Sequence, residues 1–198
     1  NSPFIDDNSE IDERKASFSV EMKGGCQETD FRYKLDLFPV PEFIDIAELE
    51  CLNFPVYENP EVTVIIPVYN QFKYTYNCLQ SVLKNTENVT YEVILAVDCS
   101  TDDTRQIEEV VKGIRVIHNE KNLSFLLNCN QASKYARGKY ILFLNNDTQV
   151  LLNWLFPLVR LMKTFPEAGL VGSKLLYADG RIQEAGGIIW KDGSASNF

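Results

Sequence analysis

"VTVIIPVYNQ", residues 62–71, begins as a β-branched apolar run and ends in a proline, a tyrosine and two amides. Val62 to Ile66 reads as a strand with no wet face, stopped at Pro67. Further strands are expected at Tyr91–Val97, Ile114–Ile117 and Tyr140–Leu144. Helical spacing separates them. Cys78, Leu79, Val82 and Leu83 mark one helix. Ile107, Val110 and Val111 mark a second, with Ser100 or Thr101 as N-cap, acids in its first turn and Gly113 to close it. Phe125, Cys129, Ala132 and Ala136 line a third, ended by Gly138. Trp154, Leu155, Leu158, Leu161 and Met162 mark a fourth. Doubly buried strands alternating with amphipathic helices define an α/β fold with a mostly parallel, Rossmann-like sheet flanked by helices. After Gly169 the pattern changes to a C-terminal β-hairpin around Asp179-Gly180.

The composition fits this reading. A chain of 198 residues that is 45% hydrophobic can bury a core. Its net charge of -9 is uneven, with 14 acidic and 5 basic residues in 1–60 and 14 of each in 61–198. No basic stripe exists, so nucleic acid is excluded as a partner. We expect an acidic N-terminal arm and packing segment over 1–60 and the α/β domain over 61–198. Within the first part, residues 1 to about 24 read as a mobile arm. The five cysteines include no CxxC and read as buried free thiols of a reducing compartment. A single histidine, His118, argues against a zinc site or a histidine-based triad.

Open α/β sheets bind ligands beyond the carboxyl ends of their strands. Those ends are "PVYN" (67–70), Asp98 before "CSTDD", and "LNNDTQ" (144–149). Tyr69 offers a face on which a planar base can stack, or is a core tyrosine. Asp98 offers an acceptor for a base N–H or a ribose hydroxyl, or caps the next helix. Asp147 is a hard oxygen ligand suited to Mn²⁺ or Mg²⁺, or starts a helix. Asn145 and Asn146 can bond a sugar without repelling a diphosphate. Asp102 and Asp103 read as cap and first-turn charges. Neither GxxxxGK[ST] nor a strand followed by GxGxxG occurs, so a diphosphate would be held through a metal.

Taken in order, "VTVIIPVYNQ", "VDCSTDDT" and "NLSFLLNCNQASKYARGKYILFLNNDT" resemble the catalytic domain of glycosyltransferase family 2, of the GT-A fold, over residues 61–198. "VGSKLLYADGRIQEAGG" is similar to its rhamnosyltransferase-like branch, which builds bacterial cell-surface polysaccharides. The resemblance implies a nucleotide-diphosphate sugar donor (UDP-, dTDP- or GDP-linked), a divalent metal, inversion at the anomeric carbon, and a glycan or lipid-linked glycan acceptor. It places Pro67, Tyr69, Asn70, Asp98, Asn130, Asn145, Asn146 and Asp147 at the donor, with Asp147 on the metal. Asn130 could equally be a buried amide bridging two loops. The expected location is cytoplasmic, peripheral to the inner membrane face.

Two departures from the family pattern stand out. Asn145 occupies the first position of a DxD-like motif. No "ED"-like motif supplying the general base occurs before Phe198, so the resemblance implies a fold truncated at its C-terminus, with the base beyond it. The alternatives are a non-catalytic nucleotide-binding module of a larger protein and a sugar-phosphate nucleotidyltransferase. The second lacks its usual Arg- and Lys-containing glycine-rich loop.

Overall fold

A computed structural model describes residues 33–40, 45–190 and 194–197. The arm expected over residues 1–24 lies outside them. Among the described residues two compact units are present: one within Leu37–Ser173, the other made of residues 33–36 and the described residues from Lys174 on.

The first unit is built on a parallel sheet of order β5-β3-β2-β6. Its strands are β2 (Val62–Val68), β3 (Tyr91–Val97), β5 (Arg115–His118) and β6 (Tyr140–Phe143). β2 is buried at every position, and β3 at every position but Glu92. Their pairing runs unbroken from Val62↔Tyr91 to Val68↔Val97. β2 therefore continues through Pro67 rather than stopping before it. The neighbouring β6 ends at the level of Ile65, and Leu144 N–H donates its last bond to the Ile65 carbonyl. Pro67 shares the orientation of Ile65, so its missing donor faces a position where no strand remains to receive it.

Three helices form where expected: α1 (Phe72–Asn85), α3 (Ser124–Ser133) and α4 (Leu155–Thr164), but α3 stops short of Ala136, so Gly138 does not end it. The second expected helix is much shorter. A 3₁₀ turn (Asp103–Gln106) leads into α2 (Ile107–Val110), and Val111 leaves the helix for the two-residue strand β4 (Val111–Lys112). β4 pairs in parallel with β1 (Leu52–Asn53), a strand the sequence did not suggest. The N-cap is Asp102, not Ser100 or Thr101. Its Oδ1 accepts the Thr104 N–H, while Oδ2 accepts the Phe72 N–H at the start of α1. One carboxylate thus satisfies the first turns of two helical segments.

The core is unequal on the two faces of the sheet. One face packs Val62, Val64, Ile66 and Val68 against Leu79, Val82 and Leu155. The other is smaller, with Ile65, Ile94 and Ala96 beneath Ala132 of α3. Phe125 does not join the buried stripe of α3; it is 62% exposed. The stripe consists of Asn128, Cys129 and Ala132. Cys78 and Cys129 are buried free thiols, but Cys51 is exposed and Cys99 half-buried.

In the second unit, β7 (Leu175–Leu176) and β8 (Ile182–Glu184) form the expected antiparallel hairpin, with Gly180 in its turn at φ 85°. A further antiparallel pair joins β9 (Gly187–Ile189) to β10 (Ala195–Asn197).

Gly138 ends the loop into β6 for a reason of space. A Cβ there would lie 2.4 Å from the Thr63 backbone nitrogen, whereas one at Gly169 meets nothing within 4 Å. Gly138→Ala should lower stability by about 1–3 kcal/mol, seen as a lower urea midpoint at unchanged m-value. Gly169→Ala should leave the midpoint within error.

Candidate functional site

The loops beyond the carboxyl ends of β2, β3 and β6 enclose an open cleft of about 430 Å³. Four non-glycine residues with positive φ cluster around it: Asn70, Gln71, Cys99 and Ser124. Each such position costs on the order of 1 kcal/mol, least for asparagine. The chain accepts that cost where a strand must turn abruptly into a helix and leave side chains at the sheet edge.

Asn70 lies at the base of this turn. Its N–H donates to Ser100 Oγ at 2.8 Å, and its Oδ1 accepts the Thr101 N–H at 2.6 Å. These bonds fasten the loop after β2 to the loop after β3. Asn70 is a clamp beside the cleft and is not among the residues lining it.

Pro67, Tyr69 and Asp98 do line it, as do Asn145, Asn146 and Asp147. Tyr69 is 57% exposed, so it is not a core tyrosine. The two carboxylates differ sharply. Asp98 is 3% exposed, and both its oxygens accept the Leu123 N–H, at 2.8 and 3.1 Å. Its Oδ1 also accepts Asn119 Nδ2 at 2.9 Å. The same Asn119 nitrogen donates to Asn128 Oδ1, and Asn128 Nδ2 reaches the Ala96 carbonyl. This buried chain of amides anchors the loop before α3, and α3 itself, to the end of β3. Asp147 is exposed and makes no hydrogen bond or ion pair among the described residues.

Asn130 is exposed on α3 and does not line the cleft; Asn128 does. Two helical positions differ by about 200°, so residues 128 and 130 point to opposite sides. The bridging amide considered for Asn130 is therefore found at Asn128. Asn122, Ser124 and Phe125 also line the cleft, though the sequence reading did not select them. A signal was available. Asn122 Oδ1 accepts the Ser124 N–H in an Asx turn that opens the helix, and Asn128 lies one helical turn beyond Ser124 on the same face.

Among the described residues no three His, Cys, Asp or Glu side chains group as a metal site. Asp147 with its neighbouring amides suits only a cation that keeps waters and is shared with a ligand's phosphates, as Mg²⁺ commonly is. No helix among the described residues is long and apolar enough to cross a membrane.

A parallel sheet with an open cleft at its strand ends, carrying an exposed aromatic and an exposed carboxylate, defines a ligand-binding type of α/β domain. The chain belongs to glycosyl transferase family 2, whose family model matches residues 63–190. It is similar to the O-antigen biosynthesis protein RfbC of Myxococcus xanthus, 32% identical over 151 residues, covering 74% of this chain and 12% of that protein. It is 37% identical over 92 residues to the putative teichuronic acid biosynthesis glycosyltransferase TuaG of Bacillus subtilis, covering 44% of this chain and 36% of TuaG. The crystal structure of S. aureus TarS matches at 29% identity and a TM-score of 0.48, covering 54% of this chain and 20% of that one. The chain thus spans well under half the length of these relatives. The parallel sheet with flanking helices is the GT-A arrangement of the family.

Below the Asn-Asn-Asp loop, burial pushes the Cys78 thiol up to about 12, with the Asp147 carboxylate adding to the rise. A thiol that titrates at 9.0 when unfolded and about 12 when folded stabilises the fold fully below pH 9, and that contribution is lost as pH rises toward 12. At pH 8, a thiol reagent should label Cys51 rapidly and leave Cys78 unmodified until the protein unfolds. The carboxylates should separate as well. Asp98→Asn places an amide against two N–H donors and should lower stability by about 1–3 kcal/mol. Asp147→Asn should change it by less than about 0.5 kcal/mol, measured by urea unfolding.

Proposed function

We propose that this chain carries the donor-binding part of an inverting, metal-assisted glycosyltransferase. It would move a sugar from a nucleotide-diphosphate donor to a hydroxyl of a cell-surface glycan or its lipid-linked precursor. The observation that carries this reading is the contrast between Asp98 and Asp147. One carboxylate spends most of its acceptor capacity on holding the cleft together; the other stands exposed in it.

Each residue has a task in this scheme. Tyr69 stacks on the base, and the one lone pair that the structural bonds leave on Asp98 Oδ2 accepts from the base or ribose. Asn145 and Asn146 bond the sugar or ribose and add no negative charge beside the diphosphate. Asp147 holds Mn²⁺ or Mg²⁺, which when bound neutralises charge developing on the leaving diphosphate. In an inverting transfer the acceptor oxygen forms its bond to the anomeric carbon as the bond to the diphosphate oxygen breaks, and the acceptor's proton leaves to a base. The names of RfbC and TuaG support a cell-surface glycan as the product. A lipid-linked acceptor would hold the enzyme at the cytoplasmic face of the inner membrane.

Thermal unfolding with UDP, dTDP and GDP, each with and without Mn²⁺, tests the donor site. A nucleotide at 100 times its Kd should add about 2.7 kcal/mol, a shift of roughly 5–10 °C. The shift should be larger with Mn²⁺ than without it, and that metal-dependent part should vanish in Asp147→Ala. No shift with any of the three would overturn the reading. Binding without transfer to any glycan acceptor would favour a nucleotide-binding module of a larger protein.

A further inference from the structure

The loop that carries Asn145, Asn146 and Asp147 does not support itself. From Asn145 to Val150 it is tied to a polar stripe on α1. Asn146 Nδ2 donates to Thr75 Oγ1 at 3.0 Å. The Val150 N–H donates to Ser81 Oγ at 3.0 Å, and Asn85 Nδ2 donates to the Val150 carbonyl at 2.8 Å. Thr75, Cys78, Ser81 and Asn85 are spaced three, three and four apart, so they share one face of the helix. Thr75 and Ser81 are wholly buried there.

Gln149 bonds to Phe38 instead of to α1. Its Oε1 accepts the Phe38 N–H at 2.8 Å, and its Nε2 donates to the Phe38 carbonyl at 2.8 Å. A side-chain amide here does what a neighbouring strand would do, pairing with both backbone groups of one residue. Phe38 is prepared for this by Pro39, which biases the preceding residue toward extended backbone. α1 holds the same segment a second time. Asn77, 4% exposed, donates from Nδ2 to the Pro39 carbonyl at 3.0 Å, and Lys84 Nζ lies 4.8 Å from the Phe38 ring centroid. Residues 37–40 therefore bridge α1 and the Asn-Asn-Asp loop, yet they precede the family-matched region, which begins at residue 63.

We propose that Gln149 is a positioning residue. Through Phe38 it makes the upstream segment 37–40 part of the support for Asp147, so affinity for a metal-bound nucleoside diphosphate depends on residues outside the family-matched region. The ligand in this statement rests on the donor-site reading above; the coupling does not. Losing Gln149 frees the loop on the side away from α1, and Asp147 then spends less time where a cation could be shared with phosphates. Contacts at Tyr69, in the separate loop after β2, are unaffected.

The test is a double-substitution cycle in the full chain: Gln149→Met, which keeps volume and removes both bonds; Phe38→Pro, which removes the N–H donor; and the pair together. Hydrogen exchange of the amides at 145–148 is the first readout. Each single variant should speed it about tenfold without lowering the thermal midpoint, and the pair should do no more than either alone. Gln149→Glu, which keeps the acceptor and loses the donor, should fall between. The second readout is nucleotide affinity. Gln149→Met should weaken UDP, dTDP or GDP binding several-fold in Mn²⁺ and leave metal-free binding unchanged. Unchanged exchange at 145–148, or effects that simply add, would overturn the coupling even in a protein that binds nucleotide. Equal weakening with and without Mn²⁺ would overturn the positioning of Asp147. Coupled exchange in a protein that binds no nucleotide would instead remove the donor-site reading and the ligand clause with it.

Discussion

The seven-position pairing of β2 with β3 sets everything else at the cleft. Both strands are almost wholly dry, and they run in register from Val62↔Tyr91 to Val68↔Val97. A slip of one residue would turn each strand's side chains to the opposite face, which burial on both sides opposes. That register brings Tyr69 and Asp98 to the same level at the carboxyl edge. It also sets where β6 must stop, because β6 pairs with the first half of β2 only. The Asn-Asn-Asp loop therefore departs below the edge and has room to rise beside it.

The loops above this edge are held by polar bonds that reach from one loop to another. Asp98 fastens the approach to α3, Asp102 caps α1 from a different loop, and Asn70 joins the two turns. A buried carboxylate with several donors is stable only while all partners stay in place. The arrangement is correspondingly intolerant of change at Asp98, Asn119 and Asn128. Glu92 is a parallel case further down β3. Burial pulls its carboxyl upward, but bonds from the Arg137 backbone, Thr63 and the Arg137 side chain lower it on balance. It fixes the loop before β6. Asp147, by contrast, carries little structural duty, which leaves it available for chemistry.

The fold could be read from the chain because its two central strands need no context. Long β-branched runs between amphipathic segments have few other uses. The edge elements were less legible. Val111 has a helix's spacing but joins β4, since a parallel partner at Leu52 competes for it. Phe125 has the right residue type for a core and shares a helix face with Asn128 and Cys129, but it lies in the first turn of α3 at the open cleft and is 62% exposed. Asn128, one turn further along the same face, is buried and finds both Asn119 and the Ala96 carbonyl.

By itself the sequence determined the layer architecture, the order of strands and helices, and the fact that Tyr69, Asp98 and Asp147 lie at strand ends. These follow from local apolar periodicity and from the rule that parallel strands share one carboxyl edge. Only the tertiary structure decided which of those groups is free to act. Whether a carboxylate is consumed depends on donors that arrive from elsewhere: Leu123 comes to Asp98 across 25 residues, and Phe38 comes to Gln149 across 111. No periodicity records such meetings, because they are made by packing of the whole domain rather than by neighbours along the chain.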